Sequence, residues 1–197
     1  MIVFVAPSFF FGAMSPYSWL SAERIETLIG AAEWRPVFLG GIFKANGRSS
    51  WGLGEGRAAG MAECEARARA YGLGTMRWPD RWPTSDLTVA RAMLIAQARG
   101  LLKPFALAAM RMAFREGADL AETPVVLEAG RRAGIDAGEL QAALGDPDVK
   151  QALRVATDEA LAGGVFGVPT VLVGAELLWG DDRLEAAAAA TGAAAAA

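Results

Sequence analysis

The stretch MSPYSWL, Met14 to Leu20, puts a serine hydroxyl four residues after the apolar run Phe9, Phe10 and Phe11, where a strand hands over to a helix. One use for that hydroxyl is local. Ser15 followed by Pro16 reads as an N-cap serine ahead of a proline at the first helical position, where the missing N–H costs nothing. The other use is chemical, and it is constrained by a count: the chain of 197 residues has no histidine. Ser-His-Asp and Cys-His catalysis, zinc sites built on imidazole and histidine-held haem are therefore excluded, and a chemical Ser15 must work without an imidazole base. Cys64 is the single cysteine, so an internal disulfide is excluded too. It falls in a helix-like run of Ala, Glu and Arg and reads as a partly buried thiol without a role.

Two further places could do chemistry. Val168-Pro169 is an X-Pro bond, the usual setting for a cis peptide. A cis bond there would turn the Val168 backbone N–H and C=O outward for pairing with an extended ligand; a plain strand-entry proline is the other reading. Asp181 and Asp182 stand at the start of the last helical stretch, where carboxylates also serve simply as caps.

The elements that must position these residues follow from periodicity. Phe9 to Gly12 reads as a short strand hydrophobic throughout, as expected when both faces are covered. A helix starts at Ser15, with Trp19, Leu20, Ile25, Leu28 and Ile29 on its apolar face, and closes near Gly30. Val37 to Leu39 reads as the second strand, broken by Gly40-Gly41, which completes a βαβ unit with a right-handed crossover. From Arg57 to about Gly145 the pattern becomes helical: Ala58 to Tyr71, a long periodic run from Thr84 to Arg115 divided at Pro104, then Thr123 to Ala133 and Ala137 to Leu144. Asp146-Pro147 opens a helix that Gly163-Gly164 stop. Thr170 to Val173 and Glu176 to Trp179 read as a hairpin across Gly174-Ala175, and a final helix follows into an alanine tail expected to fray. The order is β-α-β, helical insert, α-β-β-α. That is the α/β arrangement of a thioredoxin-like fold with an inserted all-α domain: residues 1–57 and 146–197 form the discontinuous thioredoxin-like part, and residues 58–145 the insert.

Bulk properties narrow the partners. A net charge of -3, with Arg scattered among Ala and Glu, argues against a nucleic-acid surface. The apolar N-terminus lacks a basic n-region and is interrupted by Pro7, so a cleaved signal is not expected. No later stretch is long and uncharged enough to span a bilayer, and the expected location is the cytoplasm.

SPYSWL, RPVFLGGIFKANG at residues 35 to 47 and above all GVFGVPTVLVGAELLWGDDRLE at residues 164 to 185 resemble the 2-hydroxychromene-2-carboxylate isomerase family, relatives of the kappa-class glutathione transferases. WPDRWPTSDLTVAR, residues 78 to 91, adds a more general similarity. The resemblance implies a glutathione-dependent isomerase that converts 2-hydroxychromene-2-carboxylate to trans-o-hydroxybenzylidenepyruvate. Ser15 then stands where disulfide-forming relatives carry a cysteine, beside the thiol of bound glutathione. A thiol has a reference pKa of about 8.5, and a hydroxyl hydrogen bond at a helix N-terminus favours its anion. The resemblance further implies Val168 and Pro169 along the glutathione backbone and Asp181, Asp182 and Arg183 at the γ-glutamyl end. It places Lys44 on the substrate carboxylate, Arg48 in the loop where relatives often have asparagine, and Trp82 near the aromatic ring. Gly12 stands where relatives often have an acidic residue. No metal is implied, and a homodimer acting on a small aromatic hydroxy- or oxo-acid is expected. Other readings of the same residues are a kappa-type transferase or peroxidase, a disulfide oxidoreductase, which lacks a thiol at Ser15, and a non-catalytic binding module.

Overall fold

The structure is a computed structural model that describes residues 6–196. Met1 to Val5, the start of the apolar N-terminus, and Ala197, the end of the alanine tail, lie outside the described residues.

Strand β1 (Ser8–Phe11) is buried along its whole length and is central in a four-stranded sheet. It pairs in parallel with β2 (Glu33–Pro36) and antiparallel with β3 (Thr170–Val173), which pairs antiparallel with β4 (Glu176–Trp179), so the order is β2-β1-β3-β4. Side chains alternate between the faces, as the strand period requires. Phe9 and Phe11 enter the larger core with Trp34, Val171 and Val173, while Phe10 enters a smaller cluster with Val37, Ile42, Ala160, Val165 and Val168. The Phe9, Phe11 and Trp34 rings meet at centroid distances of 5.1 to 5.2 Å.

The second strand lies earlier than its hydrophobicity suggests. The apolar trio Val37 to Leu39 reads as the strand, but the strand is Glu33–Pro36, and Leu39 opens helix α3 (Leu39–Ala45). β2 is an edge, where two buried residues, Trp34 and Pro36, suffice and a proline is tolerated because its missing N–H would face outward. Gly40 and Gly41 serve packing: a Cβ on Gly40 would stand 2.7 Å from the Phe38 ring, and one on Gly41 3.2 Å from Thr157.

The helix expected from Ser15 to Gly30 is two helices, α1 (Pro16–Ala22) and α2 (Ile25–Ile29). The next elements are α4 (Arg57–Ala70), α5 (Leu87–Ala98) and α6 (Leu102–Glu116). The long periodic run is divided at Gly100, whose φ of 70° suits glycine, while Pro104 sits harmlessly in the first turn of α6, where no intrahelical donor is required. Then come α7 (Thr123–Arg132), α8 (Ala137–Ala143), α9 (Pro147–Ala162) and α10 (Leu184–Ala196). The hairpin and the start of α9 are where the sequence puts them, and Asp146 caps α9 through the Asp148 N–H at 2.8 Å. The larger core runs without interruption from the sheet residues Phe9 and Phe11 through Trp19 into Phe105, Phe114 and Leu140 of the helical layer. α9 and α3 cover the opposite face with Ile42 and Ala160. The ends of β1 and β3, the start of α1 and the loops around α3 and α4 meet at one edge, where three adjoining cavities lie.

Candidate active site

Ser15 has extended backbone, and its Oγ accepts the Ser18 N–H at 3.2 Å, so the cap read from the sequence is formed. The residue is 5% exposed, and that exposure opens into a cavity of 490 Å³ lined by Met14, Tyr17, Trp51, Trp82, Val168 and Trp179. The hydroxyl proton has no acceptor among the described residues. It is therefore free to point at a guest placed at the N-terminus of α1.

Two neighbouring recesses continue this cavity. On one side lies a groove of 380 Å³ that shares Tyr17, Trp51, Val168 and Trp179 with it and adds Arg67, Pro169, Asp181, Asp182 and Arg183. On the other lies a compartment of 450 Å³ that shares Met14, Leu39, Phe43 and Arg48 and adds Lys44, Thr84, Ser85 and Asp86. The fold thus brings Ser15, Lys44, Arg48, Trp82, Val168, Pro169, Asp181, Asp182 and Arg183 to three adjoining spaces, with Ser15 in the middle one, while Cys64 and Gly12 line none of them.

In the groove, the Val168–Pro169 peptide is cis, and no hydrogen bond among the described residues engages the Val168 backbone N–H or C=O. The Pro169 carbonyl accepts from Gly180 N–H at 2.9 Å, tying the loop to the end of β4. The two adjacent aspartates differ sharply. Asp181 is 1% exposed, with Arg67 Nη1 at 2.7 Å from one oxygen and the Tyr71 hydroxyl donating to the other at 3.1 Å. Burial pushes its carboxyl above the ordinary range, and the Arg67 charge works against that. Asp181 is a clasp between α4 and the start of the last helical segment, and Asp182, whose side chain is 59% exposed, is the carboxylate that faces the groove. Arg67 lies 3.9 Å from Asp182, so the groove offers a cation and an anion side by side, with exposed Arg183 on its rim.

In the far compartment, Lys44 is exposed on α3. Arg48 lines both this compartment and the central cavity, and its guanidinium donates to the Phe166 carbonyl while standing 5.6 Å from the Phe166 ring, which ties the α3 loop to the loop before Pro169. Trp82 is 3% exposed and donates through Nε1 to the Met14 carbonyl at 3.1 Å, so it anchors the segment before α5 beside Ser15 and offers the cavity an edge of its ring. It packs against Trp51 and Trp78 at 4.8 and 4.7 Å between centroids. The close approach depends on Gly52, where a Cβ would fall 2.4 Å from the Trp82 ring.

Cys64 is fully buried rather than partly so, and burial pushes its thiol up to about 12. Three residues that the sequence reading passed over belong to the site. Arg67 and Tyr17 come from the charged and aromatic faces of helices that only tertiary packing turns toward the groove; burial raises the Tyr17 hydroxyl pKa. Asp86 is the third. Its position just before an apolar run marks it as a helix start, but its side chain makes no cap bond to its own helix and instead accepts the Leu39 N–H at 2.9 Å. Its carboxylate lies beside Gly12, where an added Cβ would stand 3.7 Å from Oδ2.

Among the described residues no group of three or more Cys, Asp or Glu side chains is placed to hold a metal ion, and no helix is long and apolar enough to cross a membrane. Fold and site together define a class: residues 8–192 match the family model of the DSBA-like thioredoxin domain, and the chain belongs to that family. Within the class, the chain is 27% identical over 184 residues to the 2-hydroxychromene-2-carboxylate isomerase of Sphingobium xenophagum, an alignment that covers 90% of this chain and 93% of the relative. A solved 2-hydroxychromene-2-carboxylate isomerase superposes with a TM-score of 0.84 at 19% identity, over 96% of this chain and 95% of that one. The cytosolic disulfide reductase DsbM of Pseudomonas aeruginosa, solved with GSH, superposes with a TM-score of 0.64 at 15% identity and 98% coverage of each chain. At these identities the two structures speak for the fold.

Proposed function

We propose that the protein is a glutathione-dependent isomerase of 2-hydroxychromene-2-carboxylate, producing trans-o-hydroxybenzylidenepyruvate. The observation that carries the reading is the central Ser15 hydroxyl, capped onto α1 and open to a cavity that joins a zwitterion-lined groove to a cation-bearing compartment. The isomerase named among the relatives, at 27% identity over nearly the whole chain, supports it. A disulfide oxidoreductase is disfavoured by the same site, because a serine starts α1 and the one thiol is buried elsewhere.

The residues of the groove fit glutathione. Asp182 matches an ammonium and Arg67 a carboxylate at the γ-glutamyl end, and the free Val168 backbone groups match a peptide strand. When bound, glutathione supplies a thiolate that adds reversibly to the side-chain double bond of the ring-opened substrate, which permits rotation without net redox change. Ser15 holds the hydrogen bond that favours the thiolate, and the positive end of α1 acts in the same direction. Lys44 neutralises the pyruvate carboxylate. Trp51 and the edge of Trp82 wall the aromatic ring, the usual combination of apolar wall and few polar anchors. The absorbance-monitored conversion of 2-hydroxychromene-2-carboxylate, with and without added glutathione, tests the reading. Turnover that needs glutathione is expected; a rate equal to the protein-free background under both conditions overturns it.

A further inference from the structure

Asp86 is the acidic side chain among the residues that line the far compartment, and it is 4% exposed. Ser85 Oγ takes over the capping of α5 by accepting the Leu87 N–H at 3.3 Å, which leaves the Asp86 carboxylate turned across the gap to the first turn of α3. Its partners are backbone amides, Leu39 and Gly40, with no counterion. The charged groups around it are few. Lys44 on α3 and Arg48 in the following loop share its compartment without bonding to it. From its own chain segment, Asp80 is exposed and Arg81 is paired with Asp119 and Glu122. Arg91, further along α5, opens into a separate recess with Lys150, Arg154 and Asp158 of α9. The segment from Gly12 to Met14 brings no charge.

We infer that Asp86 is a specificity-determining residue that couples a proton to anion binding: the compartment takes up a carboxylate together with a proton on Asp86, and discriminates against anions while Asp86 is ionised. The compartment holds two cations and one buried carboxylate. An anionic guest meets attraction from Lys44 and Arg48 and repulsion from Asp86, and protonation of Asp86 removes the repulsion. Desolvation lifts the Asp86 carboxyl from 3.8 to about 6, and the backbone amides hold it back from rising further. A bound anion raises it again, because like charges disfavour each other, and by reciprocity a protonated Asp86 binds the anion better. Affinity is therefore full below the free-state value and falls as pH rises through it. The nature of the anion rests on the isomerase reading, whereas the proton linkage rests on the compartment alone.

The experiment uses trans-2-hydroxycinnamate, an aromatic hydroxy-acid that need not turn over, titrated calorimetrically into the full chain at about pH 5.5 and about pH 7.5, on either side of the Asp86 value. Repeating each titration in two buffers of different protonation enthalpy counts the protons taken up. Wild-type protein is expected to bind about tenfold more weakly at the higher pH, with net proton uptake; Asp86→Asn is expected to bind equally at both values with none. Zero uptake by the wild type, an unchanged uptake in Asp86→Asn, or no binding to either at the lower pH overturns the proposal. The wild-type proton count stands even if the variant does not fold. Loss of isomerase turnover with proton-linked binding intact would instead strike the functional reading.

Discussion

Replacing Ser15 by alanine separates two jobs that one hydroxyl performs. As a cap, Oγ accepts the Ser18 N–H at 3.2 Å, and losing a bond of this kind costs about 1 kcal/mol. For a chain of this size that lowers Tm by about 2 to 4 °C. As a donor, the hydroxyl is free to turn its proton into the cavity, and a hydrogen bond to an ionised group contributes about 1.5 to 3 kcal/mol. Expressed on the bound thiol, that is about 1 to 2 pKa units. Against an unassisted thiol value of about 8.5, Ser15→Ala should therefore lose about eightfold to twenty-fivefold of the thiolate at about pH 7, and turnover with it, and should recover part of the rate as pH rises toward the shifted thiol value. The assay pairs thermal unfolding with ultraviolet absorbance of glutathione thiolate bound to wild type and variant, at matched occupancy. Ser15→Thr keeps both functions and should stay close to wild type in both measurements. If Ser15→Ala shows the fall in Tm while thiolate fraction and turnover are unchanged, Ser15 is a cap only, and the reasoning that makes it a thiolate donor is refuted.

The clasp between α4 and the last helical segment should be asymmetric to mutation. Arg67→Ala leaves the 1%-exposed Asp181 without its cation and should cost about 2 kcal/mol in urea unfolding, whereas Asp181→Asn, which needs no counterion, should cost less; equal losses would argue against a buried-charge penalty. Gly52→Ala places a Cβ 2.4 Å from the Trp82 ring and should destabilise by about 1 to 3 kcal/mol and shift tryptophan fluorescence, while Gly54→Ala, whose Cβ meets nothing closer than 3.9 Å, should do neither. A silent Gly52→Ala would mean that Trp82 is not wedged against this loop.

What the sequence determined by itself is local. Ser15 before Pro16 specifies a helix start, Asp146-Pro147 another, and Gly174-Ala175 between two β-rich runs a hairpin, because capping and turn geometry are settled by a few neighbouring residues. The GVPT and WGDDR segments come together in the groove that adjoins the Ser15 cavity, and their chemistry is carried in contiguous residues. Where burial patterns mislead, the cause is tertiary. The apolar Val37 to Leu39 looks more like a strand than Glu33–Pro36 does, but an edge strand buries only alternate residues, and Leu39 is needed at the start of α3. Pro104 looks like a break, yet the turn falls at Gly100, since a proline in the first turn removes no hydrogen bond.

The site divides in the same way. Nothing local distinguishes Asp181 from Asp182; Arg67 and Tyr71, more than a hundred residues earlier, reach one and leave the other facing the groove. Nothing local says that Asp86 turns from its own helix to the amides of another, or that Trp82 donates to the Met14 carbonyl beside Ser15. Residue type and spacing carry which chemistry is available. Which carboxylate is spent on structure, which stays free and which acquires a shifted pKa are properties of desolvation and long-range packing, and these exist only once the chain is folded.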